Sequence, residues 1–528
     1  MDKQKIAFVI VKENKENYQE QLTFLQTLEV PVGFSVEIVS VDRETSYARA
    51  YNQARQVSDA KYKIYLAEST RILYAGFLQS VLELFREKDS IGLIGMQGTE
   101  QLPTSGWLAD ASRLYGRVLY VDGMVTGESF AADYQEVMAV DGSLIATQYD
   151  IPWREDLFHG RQLSVQSLCQ EYRRQGYACV IPAQDDFWVI FPEQEPKPSA
   201  EEQNRFLDEY SKDCYPLVSV IIPTYQRPGY LAEALASVVG QSYRNLDIFI
   251  TDNSHDEETK NLLQARFLSD LRIHYEYHPE YDAAGNWHRA MDYNNPAAEY
   301  VNWLMDDDIF HPEKIARMMD YFFRFPDVSL VTSYRQLIDG NSCRLPDADF
   351  NKPLVTKTTR FTGDMMGRSI LMNQINYIGE PTTALAKKRL MRNGYALGWS
   401  GWEGKYLLSD VPTWLQLLTQ GNLIYIREPL SYFRIHAGQG QNTLKTRVNG
   451  QICWAMVIKQ AVDTAKFFTD DEQKRCCILS WIIEASSLLL DMGEKELKAD
   501  NVQDLQRVYQ AMAKALSNGY AIQFMIDT

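Results

Sequence analysis

Three consecutive aspartates, Asp306, Asp307 and Asp308, are the residues of this chain whose type and spacing point most directly to chemistry. Adjacent carboxylates repel one another unless something positive sits among them, and a hard divalent cation carrying phosphate suits several oxygens on one turn. A solvated acidic turn ahead of a helix is the plainer reading of the triplet taken alone. Its surroundings bear on the choice. Val301, Trp303 and Leu304 have the apolar, branched or aromatic character of a buried strand. His311-Pro312-Glu313 suits a helix beginning, since proline tolerates the first turn and an acid favours the positive end of the helix dipole. The carboxylates are thus expected at the carboxyl end of a strand, where open α/β sheets bind their ligands.

Holding such side chains in place needs a sheet, and a strand–helix alternation supplies it. LVSVIIPTYQRPGYLAEALASVVGQ predicts a buried strand over Val218–Ile222, a turn at Pro223-Thr224-Tyr225 and a helix from about Pro228. LDIFITDNSHDEETKNLL repeats the pattern with a strand over Asp247–Thr251, a polar turn at Asp252-Asn253-Ser254 and another helix. A third cycle ends at the aspartates. Three strand ends then converge on one edge of a parallel sheet, and a nucleotide would lie there. Thr224 and Tyr225 would cradle its base, and Asp252 would accept hydrogen bonds from base or ribose.

The first half alternates in the same way. Strands are expected over Ile6–Val11, up to Asp42 and over Tyr62–Thr70, with helices near Tyr18–Leu28 and in TSYARAYNQARQVS. Its third strand ends in Ala67-Glu68-Ser69, a poor ligand set for a hard cation. This half therefore reads as fold-related and catalytically weak, the competing reading being that Glu68 serves a different sugar site. Trp153 and Asp156 are candidates for lining a sugar pocket, against the alternative of an ordinary packed loop.

A chain of 528 residues is too long for one core, and its net charge of -17 argues against a nucleic-acid backbone as partner. Seven cysteines without a C-x-x-C spacing suggest reduced thiols and a cytoplasmic location. The amino terminus does not read as a signal peptide. The longest apolar stretch, Cys476–Leu490, is interrupted by Glu484, so a bundle helix is expected in preference to an interfacial membrane helix. PEQEPKPSAEEQ, Pro192–Gln203, marks a domain boundary, with a capping-box spacing at Ser199 and Glu202 that starts a helix running to about Asp213. The expected domains are 1–192, a linker and helix over 193–214, a second α/β domain over 215–441 and a helical region over 442–528.

Taken as a set, PLVSVIIPTYQRPGYLAEALASVVGQSY, ITDNS and the aspartate cluster followed by Pro312 resemble the nucleotide-sugar half of family 2 glycosyltransferases of the GT-A fold, over roughly Pro216–Gln441. The first half, with SYARAYNQARQ and YLAEST in corresponding places, resembles a degenerate copy. Two such units resemble the bacterial two-domain enzymes that build surface polysaccharides or protein-linked glycans. The resemblance implies an α/β fold of tandem GT-A-type, Rossmann-like, mostly parallel domains with a C-terminal helical appendage. It implies a metal-dependent inverting hexosyltransferase, using Mn2+ or Mg2+ and a nucleotide diphosphate-sugar. The acceptor would be a glycan, a glycoprotein or a lipid-linked saccharide.

The resemblance also distributes roles. Pro223, Thr224, Tyr225, Asp252 and Asp306 would bind the nucleotide, and Asp306, Asp307 and Asp308 the metal. Asp306 with Asp308 meets the family's two-residue spacing, whereas Asp307 as the ligand puts Met305 where the family has an aspartate, so the gripping carboxylate stays open. Glu380, in NYIGEPTTALAKKRL, would face the acceptor sugar. Asp410, in YLLSDVPTWLQLL, would be the catalytic base, with a helix cap before Val411-Pro412 as the other reading. In SYFRIHAGQGQN, Arg434 or His436 would meet the diphosphate or the cation, His436 as a third metal ligand or as a structural residue. A nucleotidyltransferase would need a Gly- and Lys/Arg-rich loop near the first strand, which PTYQRPGY is not. A non-catalytic glycan-binding scaffold fits the first half better than the second. Peripheral membrane association and a homo-oligomer are left open.

Overall fold

Apolar runs become the central strands of two separate sheets. The computed structural model describes residues 1–12, 14–42, 46–120, 127–191, 197–391, 410–436 and 443–524, and the chain divides into units Met1–Tyr215 and Pro216–Thr528.

In the first unit, strands β1 (Asp2–Lys12), β2 (Ser35–Asp42), β3 (Ala60–Leu66), β4 (Ile91–Gly95), β5 (Tyr134–Val137), β6 (Leu144–Thr147) and β7 (Ala178–Pro182) form a seven-stranded sheet in the order β2-β1-β3-β6-β4-β7-β5. β1 runs parallel to both of its neighbours. Successive residues of β1 feed opposite faces: Ile6, Phe8 and Ile10 join one apolar cluster, Val9 and Val11 another. That is why the run carries no polar alternation. Helices α1 (Lys15–Leu25), α2 (Tyr47–Val57), α3 (Phe77–Glu87), α4 (Arg161–Arg174) and α5 (Ala200–Cys214) complete the unit's main framework.

Helix α5 is the one expected within the linker. Ser199 caps it by accepting from the Glu202 amide at 3.2 Å. It packs on α4, with the Tyr210 and Ser167 hydroxyls 2.7 Å apart and Arg174 paired to Glu209 at 2.7 Å and Asp213 at 2.8 Å. The helix therefore belongs to the first unit. Trp153, a candidate pocket residue, is buried instead, its ring 4.6 Å from that of Tyr51 and 5.2 Å from that of Tyr65. Asp156 pairs with Arg154 at 2.8 Å. The packed-loop reading holds, because an indole enclosed by two phenol rings has no face left for a sugar.

The second unit is built on strands β8 (Leu217–Thr224), β9 (Leu246–Asp252), β10 (Ile273–Tyr277), β11 (Ala298–Trp303), β12 (Ile309–Phe310), β13 (Val328–Ile338), β14 (Thr359–Phe361), β15 (Leu385–Lys387) and β16 (Asn422–Arg434). Their order is β10-β9-β8-β11-β15-β13-β16-β12, with β14 on β16. β8, β9, β10 and β11 are mutually parallel where they pair. Helices α6 (Pro228–Val239), α7 (Glu258–Arg266) and α8 (Ala283–Asp292) alternate with them. The chain moves outward from β8 to β9 and β10, then returns to place β11 on the other side of β8. This reversal opens a crevice beyond the carboxyl ends of β8 and β11.

The helix after the aspartates, α9 (Lys314–Arg324), starts later than His311. Ile309 and Phe310 first pair antiparallel with Tyr432 and Ser431, and this short strand delays the helix. Beyond the sheet lie α10 (Gly363–Asn373), α11 (Asp410–Leu418), α12 (Leu444–Asp463), α13 (Asp471–Leu490) and α14 (Asp500–Ala515). Ile452, Trp481, Leu505 and Met512 of the last three helices share one apolar cluster with Met366, Ile370, Trp414 and Leu415. The C-terminal helices are thus part of the second unit's core. Among the described residues no helix is long and apolar enough to cross a membrane.

Candidate active site

The aspartate turn begins where β11 leaves the sheet. Leu304 still donates its amide to Ile221 of β8 at 2.9 Å, and the Asp308 amide closes the turn onto the Met305 carbonyl at 3.0 Å. The three carboxylates then go to three different places.

Asp306 reaches across to the end of β8. One oxygen accepts from the Thr224 hydroxyl at 2.9 Å and the Tyr225 amide at 3.3 Å, the other from Arg227 at 3.2 Å. Burial, then the negative charge of Asp307, pushes this carboxyl up to about 6, with Arg227 and the Thr224 and Tyr225 donors acting against the rise. Asp307 accepts from Arg227 at 3.0 Å, and the same oxygen lies 3.1 Å from His436 Nε2. Tyr225, the next turn residue, is exposed, with its ring edge-on to His255 at 5.6 Å. Beneath it Asp252 is fully buried, accepting from the Ser254 amide and the Tyr275 hydroxyl, each at 2.8 Å. Pro223 is the penultimate residue of β8, in register with Thr251 of β9.

Asp308 and Arg434, expected at the metal and the diphosphate, are both bonded to the protein itself. Asp308 is 1% exposed, one oxygen accepting from the Thr382 hydroxyl at 2.6 Å and the other from the Arg434 amide at 3.0 Å. Burial, then the charge of Asp307, holds its proton affinity well above the usual carboxylate range. Its oxygens anchor the turn, which leaves it badly placed as a metal ligand. Arg434 is fully buried and donates to the carbonyls of Asp307 at 2.7 Å, Asp339 at 3.1 Å and Gly340 at 3.3 Å. It also donates to Ser342 Oγ at 3.0 Å and pairs with Glu233 at 2.9 Å. With its nitrogens spent on fixed protein acceptors, it braces the turn and offers no free fork to a diphosphate.

The acceptor-side segment is stitched to the same turn. Thr382, which holds Asp308, also accepts from the Met305 amide at 3.2 Å. Two residues earlier Glu380 pairs with Arg335 at 2.7 Å. Gly379 adopts φ 101, and a Cβ there would press on Thr383 at 2.9 Å, so glycine lets this segment fold tightly. Asp410, the first residue of α11, accepts from Asn376 Nδ2 at 2.8 Å and from the Val411 amide at 2.8 Å. Asn376 in turn donates to the Gly379 carbonyl at 3.0 Å. Burial, then the field of Glu380, lifts the Asp410 carboxyl to about 6, while the two donors pull against the rise. Glu380 acts on Asp308 and Asp410 alike, which makes the acidic turn and the candidate base one electrostatic neighbourhood. Residues 392–409, which hold the segment leading into Asp410, lie outside the described residues.

Arg227, Asn376 and Thr382 were not singled out from the sequence. Arg227 had a signal, a basic residue between the exposed turn and Pro228; the other two are ordinary polar side chains whose meaning arises only from what the fold brings to them.

The donor types fit a hard or borderline cation: His436 Nε2 lies 3.1 Å from an Asp307 oxygen, Asp306 stands beside it, and the guanidinium of Arg227 supplies the positive charge to both carboxylates. Among the described residues no three His, Cys, Asp or Glu side chains form a ready metal cage.

The first unit shows the counterpart. Glu68, just past β3, aims both oxygens at the Asn14 amide, at 2.7 and 2.9 Å, so its charge helps to fix the residue that caps α1.

The fold and its acidic turn at a strand's carboxyl end define an α/β protein of doubly wound type, and comparison with known families narrows the class. Residues 7–210 match the model of a glycosyltransferase-like family, and residues 219–381 match glycosyl transferase family 2. The chain is a tandem of two glycosyltransferase-family domains, the second a member of glycosyl transferase family 2. It is 32% identical to Protein CgeD of Bacillus subtilis over 131 residues, 24% of this chain and 30% of that protein. An uncharacterised glycosyltransferase of Rickettsia typhi is 26% identical over 250 residues, 46% of this chain and 72% of its own length. The GalNAc(5)-diNAcBac-PP-undecaprenol beta-1,3-glucosyltransferase of Campylobacter jejuni is 31% identical over 93 residues, 18% of this chain and 30% of that protein. Several curated relatives are therefore matched over less than a third of their length. Among solved structures, residues 1–349 of S. aureus TarS in complex with UDP-GlcNAc share 12% identity, with a TM-score of 0.39, over 58% of this chain and 90% of that one.

Proposed function

We propose that the second unit transfers a hexose from a nucleotide diphosphate-sugar to a hydroxyl of a glycan, glycoprotein or lipid-linked saccharide, with inversion at the anomeric carbon. The observation that carries this reading is the contact of Asp307 with His436 beside the Thr224-bound Asp306, at the reversal point of the sheet of a family 2 glycosyltransferase domain. Thr224, exposed Tyr225 and the underlying Asp252 would receive the nucleoside, and Asp306 would face the ribose. Asp307 and His436 would hold Mn2+ or Mg2+. When bound, the cation neutralises charge gathering on the departing diphosphate.

Asp410 does the proton work. As the acceptor oxygen bonds to the anomeric carbon, the bond from that carbon to the diphosphate oxygen breaks, and the acceptor's proton passes to the Asp410 carboxylate. Asn376 orients that carboxylate, and a base whose pKa lies near 6 is ionised at neutral pH while keeping useful proton affinity. Glu380, held by Arg335, would meet the acceptor sugar. The name of the Campylobacter relative, which acts on an undecaprenol-linked saccharide, supports a lipid-linked acceptor among the three classes. The first unit, with Glu68 spent on a backbone amide, would be non-catalytic. The cysteines carry free thiols, which supports a reducing, cytoplasmic setting.

The test is nucleotide release from a panel of nucleotide-sugars, with and without Mn2+, followed by mass analysis of the acceptor. Wild type should turn over one donor only with the metal. If Asp410→Asn and Asp307→Ala both kept full activity, the assignment would be wrong.

A further inference from the structure

We infer that Arg227 is a displaceable counter-ion: it occupies the Asp307 oxygen that the cation would need, so that the metal enters readily only together with a diphosphate. The inference rests on the metal reading given above and adds an order of loading to it.

Two arginines touch the aspartate turn, and they differ in what holds them. Arg434 is fully buried and committed to several fixed acceptors. Arg227 has a side chain 35% exposed, and its bonds to the described carboxylates run through one terminal nitrogen, at 3.2 Å from Asp306 and 3.0 Å from Asp307. Its backbone, by contrast, is pinned. Gln226 before it is in the left-handed region at φ 49 with its amide bound to Ser254 Oγ at 2.8 Å, and Pro228 after it opens α6. The root is fixed and the head is free to leave into solvent.

The charges explain why such a head is needed. Two adjacent, largely buried carboxylates repel each other without a cation, and the guanidinium relieves that repulsion. An arriving cation must compete with it for the Asp307 oxygen that His436 also approaches. Two protein ligands make a weak site for a hard ion, and diphosphate oxygens complete it. The guanidinium then raises the threshold further, so that metal alone binds poorly.

Mn2+ binding to the full chain without nucleotide, measured by electron paramagnetic resonance of the free ion, tests this directly. Arg227→Ala should bind Mn2+ roughly two- to fivefold more tightly than wild type, the size of effect expected for removing a partly exposed competing ion pair. Arg227→Lys should stay near wild type, because it keeps the charge. The melting temperature of the second unit should also rise more with Mn2+ in Arg227→Ala than in wild type. Equal or weaker Mn2+ binding by Arg227→Ala overturns the inference while leaving the proposed function standing. Mn2+ binding that Asp307→Ala does not diminish would instead place the metal elsewhere and overturn both.

Discussion

Replacing Asp410 with asparagine should impair transfer and strengthen the fold, two effects with one cause. Enclosure of the Asp410 carboxyl among Asn376, Glu380 and the start of α11 raises it from 3.8 to about 6. At about 1.4 kcal/mol for each tenfold change in proton affinity, keeping the group ionised costs the folded unit up to ~3 kcal/mol. Part of the residue remains open to solvent, which screens the interaction, so ~1–2 kcal/mol is the working figure. The sign follows from the direction of the change. A carboxyl raised on folding penalises stability at pH values above about 6, and the penalty fades as pH falls from there toward 3.8. Asparagine keeps an oxygen for the Val411 amide and carries no charge, while its amide nitrogen faces the Asn376 donor and holds the gain to the lower end of this range. Calorimetric unfolding should therefore show Asp410→Asn more stable than wild type by ~1–2 kcal/mol at pH 8, with the gap narrowing to about a third of that by pH 4.5. In the same preparations transfer should fall about 10²–10⁴-fold, the usual weight of a positioned base. A variant no more stable than wild type at pH 8, or with the same stability difference at both pH values, would refute the account of the buried carboxylate. Full activity would remove it from the base role.

Three further outcomes follow from the same contacts. The rate of transfer at low substrate should fall about tenfold per pH unit below about 6 as Asp410 takes up its proton, and a profile flat down to pH 4 would contradict this. Arg434→Met should destabilise the second unit by about 2–4 kcal/mol, because the Asp307, Asp339 and Gly340 carbonyls lose their donor while half-exposed Glu233 turns to solvent; chemical denaturation measures it, and a change within ~0.5 kcal/mol would show that the clamp does not operate. Lys314 is fully buried with its ammonium against the Thr383 carbonyl at 2.8 Å, and burial pushes its proton affinity well down. A lysine depressed on folding makes stability rise with pH up to its unfolded value, about 10.4. Wild type should gain stability between pH 7 and 9 relative to Lys314→Met, and parallel stability curves for the two proteins would oppose this.

Much of the frame was legible in the chain. Apolar runs such as Ile6–Val11 and Val218–Ile222 announced strands covered on both faces, and their spacing to intervening helices announced parallel sheets. The aspartate triplet after such a run placed acidic chemistry at a strand's carboxyl end, and its resemblance to a known family supplied the candidate roles. These are local properties: a period, a composition, a motif.

What the three aspartates do individually was not legible. They are chemically identical and adjacent, and only the fold separates them, by offering Thr224 and Tyr225 to the first, Arg227 and His436 to the second, and Thr382 with the Arg434 amide to the third. Arg434 likewise has the chemistry of a diphosphate ligand in the sequence and becomes a brace because β13, α6 and the turn after β11 surround it with acceptors. Trp153, which as an exposed aromatic would suit a sugar, is enclosed by Tyr51 and Tyr65 from distant strands and helices. Sequence alone determined which groups are available and which stretches fold as sheet or helix. Tertiary structure decided which oxygen and nitrogen atoms are already satisfied, because a hydrogen-bond partner dozens of residues away leaves no trace in local pattern, and only an unsatisfied or displaceable group is left to bind a ligand.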